Sequence, residues 1–239
     1  MRLSGSSRSA LRPSPDAATP DVQVAAPSEG ALPRRPTLRG VPDLVGVCVA
    51  LPAGLYLSSC ATGDRGAFSA VIFSLGLLAM LLTSGLYHAV TWSPRWLERM
   101  SRLDHAAIFV LIAATYTPFC LCTDLPMGPH LLGLVWLGAA LGALNCLFGL
   151  AAGRAVKAGL YVLLGVAMVP WTPWLFRVLP EAAFAMAVCG GAIYILGAVI
   201  YVKRWPNPSP RHFGYHEVFH LFVFGGAACH YAAIWRVVT

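Results

Sequence analysis

Charge is scarce in this sequence. Charged residues make up 11% of the 239 positions, and only 10 of them are Asp or Glu. An ordinary soluble domain carries about a quarter. Apolar residues reach 57%, and mean hydropathy is +0.67. A soluble fold of this size has no interior large enough to hide that surface. A soluble enzyme, a coiled coil and a mainly disordered chain are therefore excluded. A disulfide framework is missing too. Cys48, Cys60, Cys120, Cys122, Cys146, Cys189 and Cys229 all fall inside or at the edge of apolar runs. Thiols so placed act as small core residues. Aromatic residues are absent from positions 1–42, which are rich in Pro, Ser and Ala instead. Such a segment cannot bury a core, so a disordered cytoplasmic tail is expected over 1–42, followed by a membrane domain over 43–239. The tail lacks the apolar centre of a signal peptide. Its first dozen residues are Arg- and Ser-rich, as in an organelle transit peptide, but Asp16, Asp21 and Glu29 soon follow.

What is present after the tail is a series of apolar runs, at roughly 44–60, 68–92, 103–122, 131–152, 158–176, 182–202 and 213–235. Each has about the length that crosses a bilayer as a helix. Pro52 in the first, and Pro170 and Pro173 in the fifth, are kinks that a membrane helix tolerates. The expectation is an all-α bundle of seven transmembrane helices, multi-pass in a cell membrane. Placing the tail in the cytoplasm leaves only Arg65, Arg177 and Arg236 outside, with every other Lys and Arg inside. This asymmetry gives a cytoplasmic N-terminus and an extracytoplasmic C-terminus. It also explains the net charge of +7 without nucleic acid; the partners expected are membrane lipids. Trp92, Trp96, Trp136, Trp171, Trp174, Trp205 and Trp235 mostly flank spans, where interface anchors belong.

Histidine and carboxylate inside a span are costly, and by default mark function. Run two ends on Ser84-Gly-Leu-Tyr-His88, run three begins Leu103-Asp104-His105, and run seven holds His216-Glu217-Val218-Phe219-His220 and later His230. The alternation of spans puts the first three of these segments at one membrane depth. Ser84 and His88 are one helical turn apart, as are His216 and His220. Two imidazoles at that spacing can bind one ion, and His88 can add a third nitrogen from a facing helix. Zinc at a catalytic site takes three protein ligands and a water. Asp104 is placed to accept that water's proton, and Ser84 to hydrogen-bond the oxyanion that forms on a substrate carbonyl. The alternative for each His is an ordinary hydrogen-bonded packing residue.

His-Glu-Val-Phe-His also fits the short zinc-protease pattern, with Glu217 as base. A protease needs a further ligand, and His230 lies about 15 Å along a continuous helix from His220. Glu217 is turned about 100° from His216 and points off the ligand face. His105 points away from Asp104 by the same rotation. His130 and His212 lie at span edges, Cys120 and Cys122 read as packing residues, and Asn145 as a bridge between helices.

These motifs together resemble the hemolysin III family, the bacterial branch of the progestin and adipoQ receptor superfamily. The matching pieces are Ser84-Gly-Leu-Tyr-His88, Leu103-Asp104-His105-Ala-Ala-Ile108, Ile112-Ala-Ala-Thr-Tyr-Thr-Pro-Phe119, and Tyr215 to His220 on through Gly225 to His230. The likeness runs from about residue 40 to the end. It implies a seven-helix bundle in the bacterial inner membrane, with a cytoplasm-side zinc on His88, His216 and His220, Asp104 holding the zinc water and Ser84 nearby. The related receptors resemble alkaline ceramidases at this site, which implies hydrolysis of a lipid amide or ester. The family's name implies instead membrane lysis, or lipid homeostasis around a structural zinc. Ala114 departs from the family's usual Gly before Thr-Tyr-Thr-Pro, a change expected to alter helix packing and not the metal.

Overall fold

The computed structural model describes residues 38–150, 153–209 and 211–239. The sequence expectation for residues 1–37 lies outside the described residues. From Val41 onward the chain is helical with short connections. The helices are α1 (Val41–Cys60), α2 (Gly63–Ala89), α3 (Pro94–Cys122), α4 (Gly128–Leu147), α5 (Arg154–Gly165), α6 (Thr172–Val178), α7 (Glu181–Lys203) and α8 (Tyr215–Val238). A 3₁₀ segment, Val166–Trp171, joins α5 to α6 into one span. Among the described residues, seven helices are thus long and apolar enough to cross a membrane, and there are no β-strands. The fold is an all-α seven-span bundle.

Local chemistry sets the boundaries. Pro is at the first or second position of α1, α3 and α4, where its missing N–H would be unsatisfied anyway. Arg204 ends α7 in the left-handed conformation, the usual way a helix is stopped. Hydropathy alone starts the first span at 44; the backbone starts α1 at Val41, because Gly40 at φ +82° permits the turn that Pro42 then initiates. The two Pro of span five split it. Pro170 cannot donate to the helical ladder, so the chain tightens into the 3₁₀ segment, and Pro173 opens α6.

The freed backbone groups at that break need partners in hydrocarbon. Tyr116 of α3 supplies them. Its hydroxyl donates toward the carbonyls of Gly165 at 2.7 Å and Leu164 at 3.1 Å, and accepts the Met168 N–H at 2.9 Å. This is what the Thr-Tyr-Thr-Pro stretch does in the bundle. Thr115 and Thr117 turn back onto the carbonyls of Leu111 and Ala113, and Trp136 of α4 donates to Thr117 Oγ1.

α3 is the most buried span and the one from residue 154 to 178 the least. α2 packs between α1 and α3, and α8 touches α1, α2, α3 and α7. Ala114 is fully buried and faces Gly76 of α2, where an added Cβ would lie 2.6 Å from the Ala114 methyl. The Ala114 methyl is accommodated by a glycine opposite.

Candidate metal centre

One end of the bundle collects the end of α2 and the starts of α1, α3 and α8. His88 is in the last turn of α2, one turn after the fully buried Ser84. His216 and His220 are in the first two turns of α8, on one face. One nitrogen from each of His88, His216 and His220 falls within 4.8 Å of the others. His88 Nε2 and His216 Nε2 are 2.8 Å apart, and the ring centroids lie 4.5–5.6 Å from one another. His88 and His220 are buried and His216 half-buried.

Asp104, half-buried on α3, is within electrostatic reach of His220 and Arg39, and it faces the Ser84 hydroxyl. The sequence pattern places these five residues together, and the bundle brings them together. Two further residues join them that the pattern does not single out. Asp43 of α1 is 1% exposed, and its Oδ1 lies 2.8 Å from His220 Nδ1. Arg39, just before α1, donates from Nε to His88 Nδ1 at 3.3 Å. Asp43 escapes a reading that starts the first run at 44; a boundary one residue earlier exposes it as an acid inside a span. Arg39 reads from sequence as one more tail cation. Small residues admit both. A Cβ on Gly85 would lie 2.8 Å from the end of the Leu44 side chain, so α1 and α2 pack closely beside Asp43. A Cβ on Gly40 would lie 2.7 Å from the Ala89 nitrogen, on the end of α2.

The donor set fits a metal ion. Three imidazoles suit zinc and other borderline ions. His220 Nε2 is buried and makes no hydrogen bond, which leaves its lone pair available. His88, His216 and His220 would hold the ion, which would supply Lewis acidity there. Proton positions follow from partners. An Arg39 N–H on His88 Nδ1 puts that ring's own proton on Nε2, from where it points at His216. For His88 Nε2 to hold an ion, that proton would have to leave it.

The remaining polar residues have other work. Glu217 turns back and caps α8, its Oε2 accepting the Gly214 N–H at 2.8 Å. α8 runs unbroken through Gly225-Gly226, and the space over Gly226 is filled by Tyr194 of α7. His230 stacks on Tyr194 at 5.5 Å and 14°, far from the cluster. The protease arrangement therefore has neither its base nor its further ligand. His105 Nδ1 contacts the Ser101 carbonyl of its own helix at 2.5 Å. All seven cysteines are free thiols, and Cys120 is buried as packing.

Comparison with known proteins agrees with this architecture. A family model described as haemolysin-III related matches residues 33–231. The chain belongs to the haemolysin-III family. Among relatives, it is 32% identical over 188 residues to the hemolysin-3 homolog of Bacillus subtilis strain 168, covering 77% of this chain and 85% of that protein. It is 31% identical over 191 residues to hemolysin-3 of Bacillus cereus, covering 77% and 83%. The human monocyte to macrophage differentiation factor is 31% identical over 175 residues, covering 70% and 69%. As a haemolysin-III member, the chain is a multi-pass membrane protein with a buried three-histidine group able to bind a metal ion.

Proposed function

We propose that the metal is zinc and that the protein hydrolyses a lipid amide or ester at the membrane's cytoplasmic face. The observation that carries this is the convergence of three ring nitrogens within 4.8 Å with Asp104 and Ser84 at their side. Bound zinc supplies Lewis acidity, which polarises a carbonyl and acidifies water. Asp104, on a helix that contributes no ligand, accepts a proton from the attacking water and returns it to the departing amine or alcohol. Ser84 donates to the oxygen that gains charge as the carbonyl becomes tetrahedral. His88, His216 and His220 hold the ion. The net change is addition of one water across the C–N or C–O bond.

A second reading has a specific observation in its favour. His88 and His216 are in direct contact, and Arg39 engages the back of His88. A site this closed suits a structural ion in a non-enzymatic protein of lipid homeostasis or lysis, and two relatives carry the name hemolysin-3. The test is a lipid profile, by mass spectrometry, of membranes holding the wild type, His216→Ala or Asp104→Asn. Hydrolysis predicts a product fatty acid or lysolipid that appears with wild type and vanishes in both variants. Identical profiles for all three overturn it in favour of the second reading.

A further inference from the structure

Asp43 and His220 are two buried groups in close contact, with Asp104 within electrostatic reach of both. Asp43 is 1% and His220 6% exposed. Neither oxygen of Asp43 and neither nitrogen of His220 makes an aligned hydrogen bond among the described residues, yet Oδ1 and Nδ1 are 2.8 Å apart. A carboxylate cannot stay buried at that distance from an imidazole nitrogen without a proton between them. A small ring rotation aligns the contact. The proton on Nδ1 leaves the lone pair on Nε2, the one nitrogen of His220 that remains to serve the three-histidine group.

We propose that Asp43 is a positioning residue for the metal site: it fixes His220 as its Nδ1–H tautomer and so presents Nε2 to the ion. This rests on reading the histidine cluster as a metal site. Carboxylate partners behind ligating histidines act this way in metal centres generally, and removing one weakens metal affinity about 10–100-fold. The carboxylate comes from α1, a span that contributes no ligand. α1 thereby becomes part of the site, docked on α2 through the Gly85–Leu44 contact.

The test uses the full chain purified in detergent, titrated with Zn²⁺ and with Co²⁺. Asp43→Asn is expected to lower Zn²⁺ affinity about 10–100-fold and to shift the visible bands of bound Co²⁺. Asp43→Glu, which keeps the carboxylate, is expected to recover part of the affinity. Unchanged affinity and cobalt bands in Asp43→Asn would overturn the proposal, and so would equal loss in Asn and Glu variants with lowered thermal stability. If Asp43→Asn does not fold, the wild type itself decides: ¹⁵N-histidine spectra of the Zn²⁺-loaded protein should show His220 ligating through Nε2 with a proton on Nδ1. Ligation through Nδ1 is the contrary result. Wild type that takes up neither ion overturns the metal reading as a whole, an outcome distinct from failure of Asp43 alone.

Discussion

At the residue scale, two carboxylates that a motif search would treat alike have different tasks. Glu217 is held by the Gly214 N–H at the start of α8. Glu217→Gln keeps an acceptor there, so metal content should be retained, with a stability loss within about 1 kcal/mol, by the scale of capping interactions. Asp104 caps no helix; it faces Ser84 and is within electrostatic reach of His220. Asp104→Asn should keep most of the metal and lose hydrolysis. Metal analysis of the two purified variants, beside the lipid readout, checks the pair. A dead Glu217→Gln with an active Asp104→Asn would restore the protease arrangement. Arg39 gives a prediction of opposite sign. Its donation to His88 Nδ1 holds a proton on the nitrogen a metal requires. Arg39→Gln should therefore raise Zn²⁺ affinity in competition with a chelator. Equal or weaker binding would show that Arg39 does not compete with the ion.

At the element scale, the Tyr116 hydroxyl partners the broken backbone of span five. Tyr116→Phe removes it and leaves the Gly165 carbonyl and Met168 N–H without their partner. Each unsatisfied buried group costs about 1–3 kcal/mol. The expected result is a lower midpoint of thermal unfolding in detergent, with metal content unchanged because the break is remote from the histidines. The α2–α3 contact gives a paired test. Gly76→Ala would bring two methyls to 2.6 Å, and overpacking of this kind costs about 1–3 kcal/mol. Ala114→Gly removes the opposing methyl, so the double variant should regain most of the loss. Additive losses would mean that the two sites do not touch.

At the scale of the whole molecule, the ends of α2 and α7 and the starts of α1, α3, α5 and α8 lie at one end of the bundle. The Lys and Arg of 95–102, 154–157 and 203–211 lie there too. Cations gather on the cytoplasmic side of membrane proteins, so the histidine cluster is expected to face the cytoplasm and Thr239 the opposite side. Reporter fusions after Thr239 test this. A fusion active only in the cytoplasm would invert the orientation or remove a span.

The sequence by itself determined the class of this protein and which polar residues meet at one end of the bundle. Low charge and seven apolar runs of bilayer length admit only a helical bundle, because hydrocarbon leaves a backbone no other way to satisfy its polar groups. The turn-apart spacing of Ser84 with His88, and of His216 with His220, together with the alternation of spans, suffices to bring these residues and Asp104 to one depth. Rotation of each helix and the contacts between distant helices were decided only by tertiary packing. Asp43 and Arg39 have no spacing relation to any histidine; their contacts depend on how α1 lies against α2, with the glycine turn at Gly40 set against the end of α2. The split of span five is written in Pro170 and Pro173, but the tyrosine that satisfies it comes from a helix about 50 residues earlier. A one-dimensional pattern carries periodicity along one helix. It does not carry which side chains of two helices fill each other's gaps, because that depends on volumes that meet only after the chain has folded.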